Sequence, residues 1–249
     1  WQALQSETGL TPAQAVRVGV LLLIHGQPAQ ALTVLERTQA RAEAESGSDT
    51  PFWRLIADIA RRLQEDELAK RAYGRVLASN SPEPGDYDSL ISLLGDEHPL
   101  EAARLAAAAW RRFHQPRQLL GALGNYAAAN AWSEMGRLLS EAESETETRR
   151  TLQSSTDFLL LSAQYLQHVG RSTQARAQLE RALRLAPESG AVRQALLWQL
   201  IDTGEADALR RLLAAYRPAR RARRRLSCSG ATRRGAARLL HAASCRAPQ

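Results

Sequence analysis

Between Thr156 and Ser189 apolar positions recur at helical spacing in two blocks separated by a glycine. Leu159, Ala163 and Leu166 precede Gly170, Ala175, Leu179 and Ala182 follow it, and Pro187 closes the segment. Steps of three and four residues put each set on one helix face, and a glycine between two such faces predicts a helical hairpin. Related blocks run along the chain. A small residue early in the second helix marks where neighbouring helices approach too closely for a large side chain, and it serves as a ruler. Ala31, Ala69, Ala102, Gly136 and Ala175 fill that place in turn, and Leu209, a sixth, breaks the small-residue rule. The steps between them are 38, 33, 34, 39 and 34 residues by subtraction, so the pattern predicts six hairpins.

The segment at Thr156 resembles a tetratricopeptide repeat, whose small and large positions are met by Leu159, Ala163, Leu166, Ala175, Leu179 and Pro187. Leucines replace the two expected aromatics, and Ser162 replaces a leucine. Trp53 fills the tryptophan position of the second hairpin. With no alternating β pattern in competition, the expected fold is all-α: a right-handed superhelical solenoid over residues 12–216. Thr11 followed by Pro12 and Thr50 followed by Pro51 read as helix starts, a hydroxyl to cap free amides beside a residue that needs no donor. Gly19 is read as a helix contact, and Gly26, Gly95, Gly170 and Gly204 as turns. Residues 1–11 have no pairing partner and read as the remnant of a preceding segment.

Charge divides the chain. The total is 33 basic against 26 acidic residues, but from Arg217 to Gln249 there are ten arginines and no acid. Residues 1–216 therefore hold 23 basic and 26 acidic groups, a net of −3. The last 33 residues use ten residue types, without acid, lysine, aromatic or β-branched aliphatic. A chain whose single lysine is Lys70 suggests a GC-rich gene, and out-of-frame reading of such a gene yields this vocabulary. The tail is expected to be disordered and frameshifted or aberrant, with a basic arm for nucleic acid as the alternative. No nucleic-acid partner is expected for the repeat body.

Chemistry-bearing motifs are sparse. Both cysteines, Cys228 and Cys245, fall in the tail, and His25, His98, His114 and His168 have no metal-ligand spacing. Neither a phosphate loop nor a nucleophile elbow occurs. The expectation is a non-enzyme with no catalytic residue, cofactor or metal. The acidic run Glu141 to Glu147 reads as a solvated helix end and is assigned no site.

In a stack of hairpins the first helices line the concave face, so their outward residues are the candidate binding surface. By spacing these are Arg54, Asp58, Arg61 and Arg62, then Tyr87 and Asn125. The fifth hairpin adds Asp157, Gln164, Gln167 and His168, and the sixth Gln194, Trp198 and Asp202. Ordinary solvated surface is the competing reading of the charged residues, and packing on a next repeat that of Trp198. Asn125 stands without a basic residue one turn before it, where Gly121 lies, so the carboxylate clamp of chaperone-tail adaptors is not expected.

Residues 11–216 further resemble the periplasmic repeat region of the outer-membrane protein that exports the Pel exopolysaccharide. The segments that carry this are FWRLIADIARRLQEDELAKRAYGRVLAS, HPLEAARLAAAAWRRF and ALLWQLIDTGEADALRRLLAAY. The resemblance implies a periplasmic scaffold joined to an outer-membrane β-barrel, touching a polysaccharide-modifying enzyme and a polymer of some positive charge. Asp58, Asp157 and Asp202 would supply counter-charge to such a polymer. A protein-only adaptor is the competing class.

Overall fold

The computed structural model describes residues 9–44 and 50–215, and Asp96 by its backbone alone. The tail after Tyr216, the remnant before Gly9 and Tyr216 itself lie outside the described residues. Helices pair in chain order: α1 (Pro12–Ile24) with α2 (Pro28–Ala44), α3 (Thr50–Arg62) with α4 (Asp66–Leu77), and α5 (Pro84–Leu94) with α6 (Pro99–Phe113). Next come α7 (Pro116–Ala128) with α8 (Trp132–Ser144), and α10 (Thr156–His168) with α11 (Ser172–Leu185). A short helix, α9 (Thr146–Leu152), stands between these last two pairs. The sixth pair is α12 (Gly190–Asp202) with a final helix, α13, over residues 206–215. No strand occurs among the described residues, and the fold is the all-α solenoid expected.

The hairpin turn is the local device that repeats. Gly26, Gln64, Asn130, Gly170 and Gly204 each have positive φ, between 54° and 76°. The next residue's N–H then reaches five positions back: Gln27 to Leu22, Glu65 to Ala60, Ala131 to Tyr126, Arg171 to Leu166 and Glu205 to Leu200, at 2.8–2.9 Å. That is the Schellman closure, which satisfies a carbonyl left over at a helix end. The same residue's carbonyl accepts the first bond of the second helix, so one residue ends one helix and starts the other. In the third hairpin, Gly95 (φ 54°) opens a 3₁₀ turn, Gly95–Glu97, and the second helix starts from His98 instead. Helix starts follow the residues too. Thr11 and Gln14 form a reciprocal capping box, and Ser155 and Ser189 accept from Phe158 and Val192.

The turns fix the register of the ruler. Ala31, Ala69, Ala102, Ala175 and Leu209 each donate to the carbonyl that starts their helix, and in the fourth hairpin that donor is Met135, not Gly136. Met135 is fully buried, so the rule of small residues fails there as it does at half-buried Leu209. The corrected steps are 38, 33, 33, 40 and 34 by subtraction. The excess in the 40-residue step holds α9, whose Leu152 is buried against α7 and α8.

Gly136 has a different use. A Cβ there would lie 2.7 Å from Tyr165 Cζ, so the bare backbone of α8 is the seat of the Tyr165 ring from α10. Gly19 admits Leu55 of α3 in the same way, at 3.1 Å. Large side chains fill the spaces between hairpins: Phe52, Ile56, Tyr73, Trp110, Leu119, Leu123 and Leu159 are each at most 1% exposed. Burial of this kind contributes about 1.5–3 kcal/mol per large side chain, which helices of 11–17 residues need because they are marginal alone.

Two glycine substitutions separate packing from propensity. Gly124 lies inside α7 with open space where a Cβ would go, so Gly124→Ala should gain about 1 kcal/mol of helix propensity and raise the thermal midpoint by about 2–4 °C. At Gly136 the same change gains that propensity but drives a methyl into Tyr165, and overpacking costs about 1–3 kcal/mol. Melting followed by circular dichroism should show Gly124→Ala above the parent and Gly136→Ala below it.

Candidate functional site

The first helices carry the expected surface row, and the structure divides it. Arg54 on α3 donates through Nε and Nη2 to Asp86 of α5 at 2.8 and 2.7 Å, and its Nη1 lies 3.0 Å from Glu83. Hydrogen bonding to Asp86 raises the Arg54 pKa above its already high value. Asp86 also accepts from the Glu83 N–H at 2.7 Å and is 4% exposed, so Arg54 fastens hairpin two to the start of hairpin three. Asp58 accepts from the Tyr73 hydroxyl at 2.6 Å and is tied within its own hairpin. Burial, then this hydrogen bond, pushes the Tyr73 phenol up.

Tyr87 is corrected outright. It is 7% exposed and packs edge-on against Phe113 at 5.9 Å, because the buried face of α5 is Asp86, Tyr87, Leu90 and Leu94. The 3₁₀ turn puts extra residues between the two helices, so counting back from Ala102 misplaces the register. Gln167 donates to Gln199 of α12, and His168 stacks on Trp132 of α8, with centroids 4.4 Å apart and planes 15° apart. Both residues lie at seams between hairpins.

Arg61, Arg62, Asp157, Gln164, Gln194 and Asp202 are exposed, Asn125 is half-buried, and Trp198 is 58% exposed. Trp198 on α12 and the two arginines on α3 belong to different hairpins, and α12 also exposes Ile201 at 50%. An apolar edge on α1 was missed: Val20, Leu21 and Ile24 are 41%, 41% and 74% exposed. Val16, Val20, Leu23 and Ile24 at spacings of four, three and one form a second apolar stripe that was readable in the sequence.

The second helices are linked by their own charges. Arg111 of α6 grips Glu141 of α8 through both carboxylate oxygens at 2.7–3.1 Å, and Arg75 of α4 reaches Glu43 of α2. Arg176 of α11 bonds Glu180 in its own helix and Glu205 at the next hairpin's turn. Glu141 belongs to the acidic run, so part of that run is a link between hairpins rather than solvated surface. Among the described residues no group of His, Cys, Asp and Glu is arranged to hold a metal ion, and no helix is long and apolar enough to cross a membrane.

A stack of antiparallel helical hairpins, joined by side-chain links and carrying a partly open polar row on its first helices, defines an α-solenoid that acts through its surface. The family model described as tetratricopeptide repeat matches residues 4–234, and the chain belongs to that family. Proteins of this family mediate protein–protein interactions. Two solved structures are similar in fold. One is YrrB, described as a tetratricopeptide-repeat protein with an unusual peptide-binding site, at 13% identity over 73% of this chain and 90% of that one, TM-score 0.50. The other is a tetratricopeptide-repeat protein from Parabacteroides merdae, at 12% identity over 83% and 79% of the two chains, TM-score 0.51. No curated protein matches the chain at a significant level.

Two measurements distinguish structural from free charge. Arg54→Ala strands the buried carboxylate of Asp86 and should cost about 2–4 kcal/mol in denaturant unfolding, whereas Arg61→Ala should stay within about 0.5 kcal/mol. Acid melting reads the second link, since the hydrogen bond from Arg111 holds the Glu141 carboxyl below the usual range. A depressed folded pKa stabilises above the unfolded value and is lost as pH falls through the folded one. Arg111→Gln should therefore lower the midpoint at neutral pH, and the gap from the parent should narrow below the usual carboxylate pKa.

Proposed function

We propose that the chain is a non-catalytic scaffold that binds a protein partner through the open row of its first helices. In the finer form of this reading it is the periplasmic repeat region of an exopolysaccharide-export protein of the Pel type, with an outer-membrane barrel elsewhere in the full protein. Its partner is then a polysaccharide-modifying enzyme, and the row also touches a cationic polymer. The observation that carries surface binding is Trp198: a large aromatic left 58% exposed, with Ile201 half exposed and Asp202 on the same helix. Exposed aromatic surface next to charge is costly to leave in water and suits a ligand that is partly apolar and partly cationic.

The polymer arm of this reading depends on Asp157 and Asp202, because Asp58 is already bonded to Tyr73. Titration calorimetry with a soluble cationic amino-sugar polymer should show binding that weakens with salt, since exposed charges are screened within about 10 Å at 0.1 M. Asp157→Asn and Asp202→Asn should each weaken it further, and Trp198→Ala should reduce it at every salt concentration. Binding that ignores salt, or none, would leave the family's protein-only adaptor role and remove the export role.

A further inference from the structure

Where the hairpin period lengthens to 40 residues, the inserted helix α9 does not pack flush. It leaves a cavity of about 200 Å³ against the corner where α6 ends and α7 begins. Trp110, Leu152 and Pro116 supply apolar wall, and His114, Glu145, Glu147, Thr148 and Thr151 supply the polar part. At this volume it falls below the ~300–1,000 Å³ of drug-sized ligand sites, so a nucleotide or cofactor is too large for it and a single side chain is not.

Charge in the cavity is one-sided. Glu145 and Glu147 line it, and no lysine or arginine does. Glu145 is held in place, accepting from Thr148 Oγ1 at 2.8 Å with His114 Nδ1 at 3.6 Å, while Glu147 is exposed and its carboxylate has no bonded partner among the described residues. Helices α6 and α8 end here with their carbonyl poles while α7 and α9 begin here with their amide poles, so the helix ends offset one another and the two carboxylates decide the sign. The corner also has unused polar capacity. Trp110, a lining residue only 1% exposed, has an indole N–H with no acceptor among the described residues, so an occupant must bring it an oxygen, which the backbone carbonyl of a lysine residue can supply and its donor-only ammonium cannot. Buried polar groups without partners are rare in a closed fold.

We propose that this cavity receives a lysine side chain of a partner protein, its aliphatic stem against Trp110, Leu152 and Pro116 and its ammonium between Glu145 and Glu147. An aromatic wall adds cation–π attraction to the carboxylates. None of the residues in the first-helix row lines this cavity, so the site stands apart from the polymer and scaffold reading and does not depend on it.

The test is heteronuclear NMR of the full chain, reading the Trp110 indole N–H signal, assigned with Trp110→Phe, and the Thr148 and Thr151 amides. The probes are Nα-acetyl-lysine methylamide, its norleucine analogue and 1,4-diaminobutane. The lysine probe should shift all three signals and saturate in the millimolar range, the norleucine analogue should not, and Glu147→Gln should weaken the lysine probe about tenfold with unchanged circular dichroism. Equal shifts with norleucine would show an apolar hollow only and overturn the proposal, as would no shift with any probe or lysine binding indifferent to Glu147→Gln. Diaminobutane binding about tenfold tighter than the lysine probe would assign the site to free diamines and overturn the side-chain source.

Discussion

Two helices can lie antiparallel in contact only if the chain reverses within a few residues, and each reversal here turns on one residue in a conformation most side chains avoid. Gly26, Gln64, Gly95, Asn130, Gly170 and Gly204 hold that place in the six hairpins. Five share the bond that reaches five residues back, and its donor also starts the next helix. The helix faces therefore meet at a fixed phase. Without this closure, the buried positions of the second helix would rotate away from those of the first, and no arrangement of apolar residues could restore the packing.

Between hairpins the constraint is different, because the links between successive pairs share no common closure like that of the turns. Missing side chains and large ones together set how closely those pairs approach: Tyr165 lies on the bare backbone at Gly136, and Leu55 against Gly19. Charge pairs then fix the stagger, Arg54 to Asp86 on the first helices and Arg111 to Glu141 on the second. Exposed pairs of this kind contribute little apiece, and the Arg54 link is the exception because its carboxylate is 4% exposed.

Those facts explain what could be read in advance. Turns at Gly26, Gly95, Gly170 and Gly204 were legible because glycine advertises the conformation, while Gln64 and Asn130 adopt it at some cost and leave only a weak mark in the sequence. Helix pairing was legible from period alone. Register was not: the longer turn of the third hairpin put Tyr87 on the open face when it fills the buried one, and at an ordinary turn the large Met135 holds the place the small-residue rule gave to Gly136. The acidic run was legible as charge, yet its division between a hairpin link at Glu141 and a cavity wall at Glu145 and Glu147 depends on where α9 lands.

The candidate row shows how a repeat array spends its surface. Each first helix presents outward positions to both solvent and the neighbouring first helix, and side chains of ordinary length can reach either. Arg54 and Gln167 cross to the next hairpin and His168 stacks on the preceding one, while Asp58 turns to its own second helix. Arg61, Arg62, Asp157, Gln164, Gln194, Trp198 and Asp202 do not, although they have the same spacing and the same chemistry. Whether a polar residue on such a helix is glue or ligand contact is thus set by what the next hairpin places within reach, one repeat away in sequence. A binding row in this fold is what remains after the stack has taken its share.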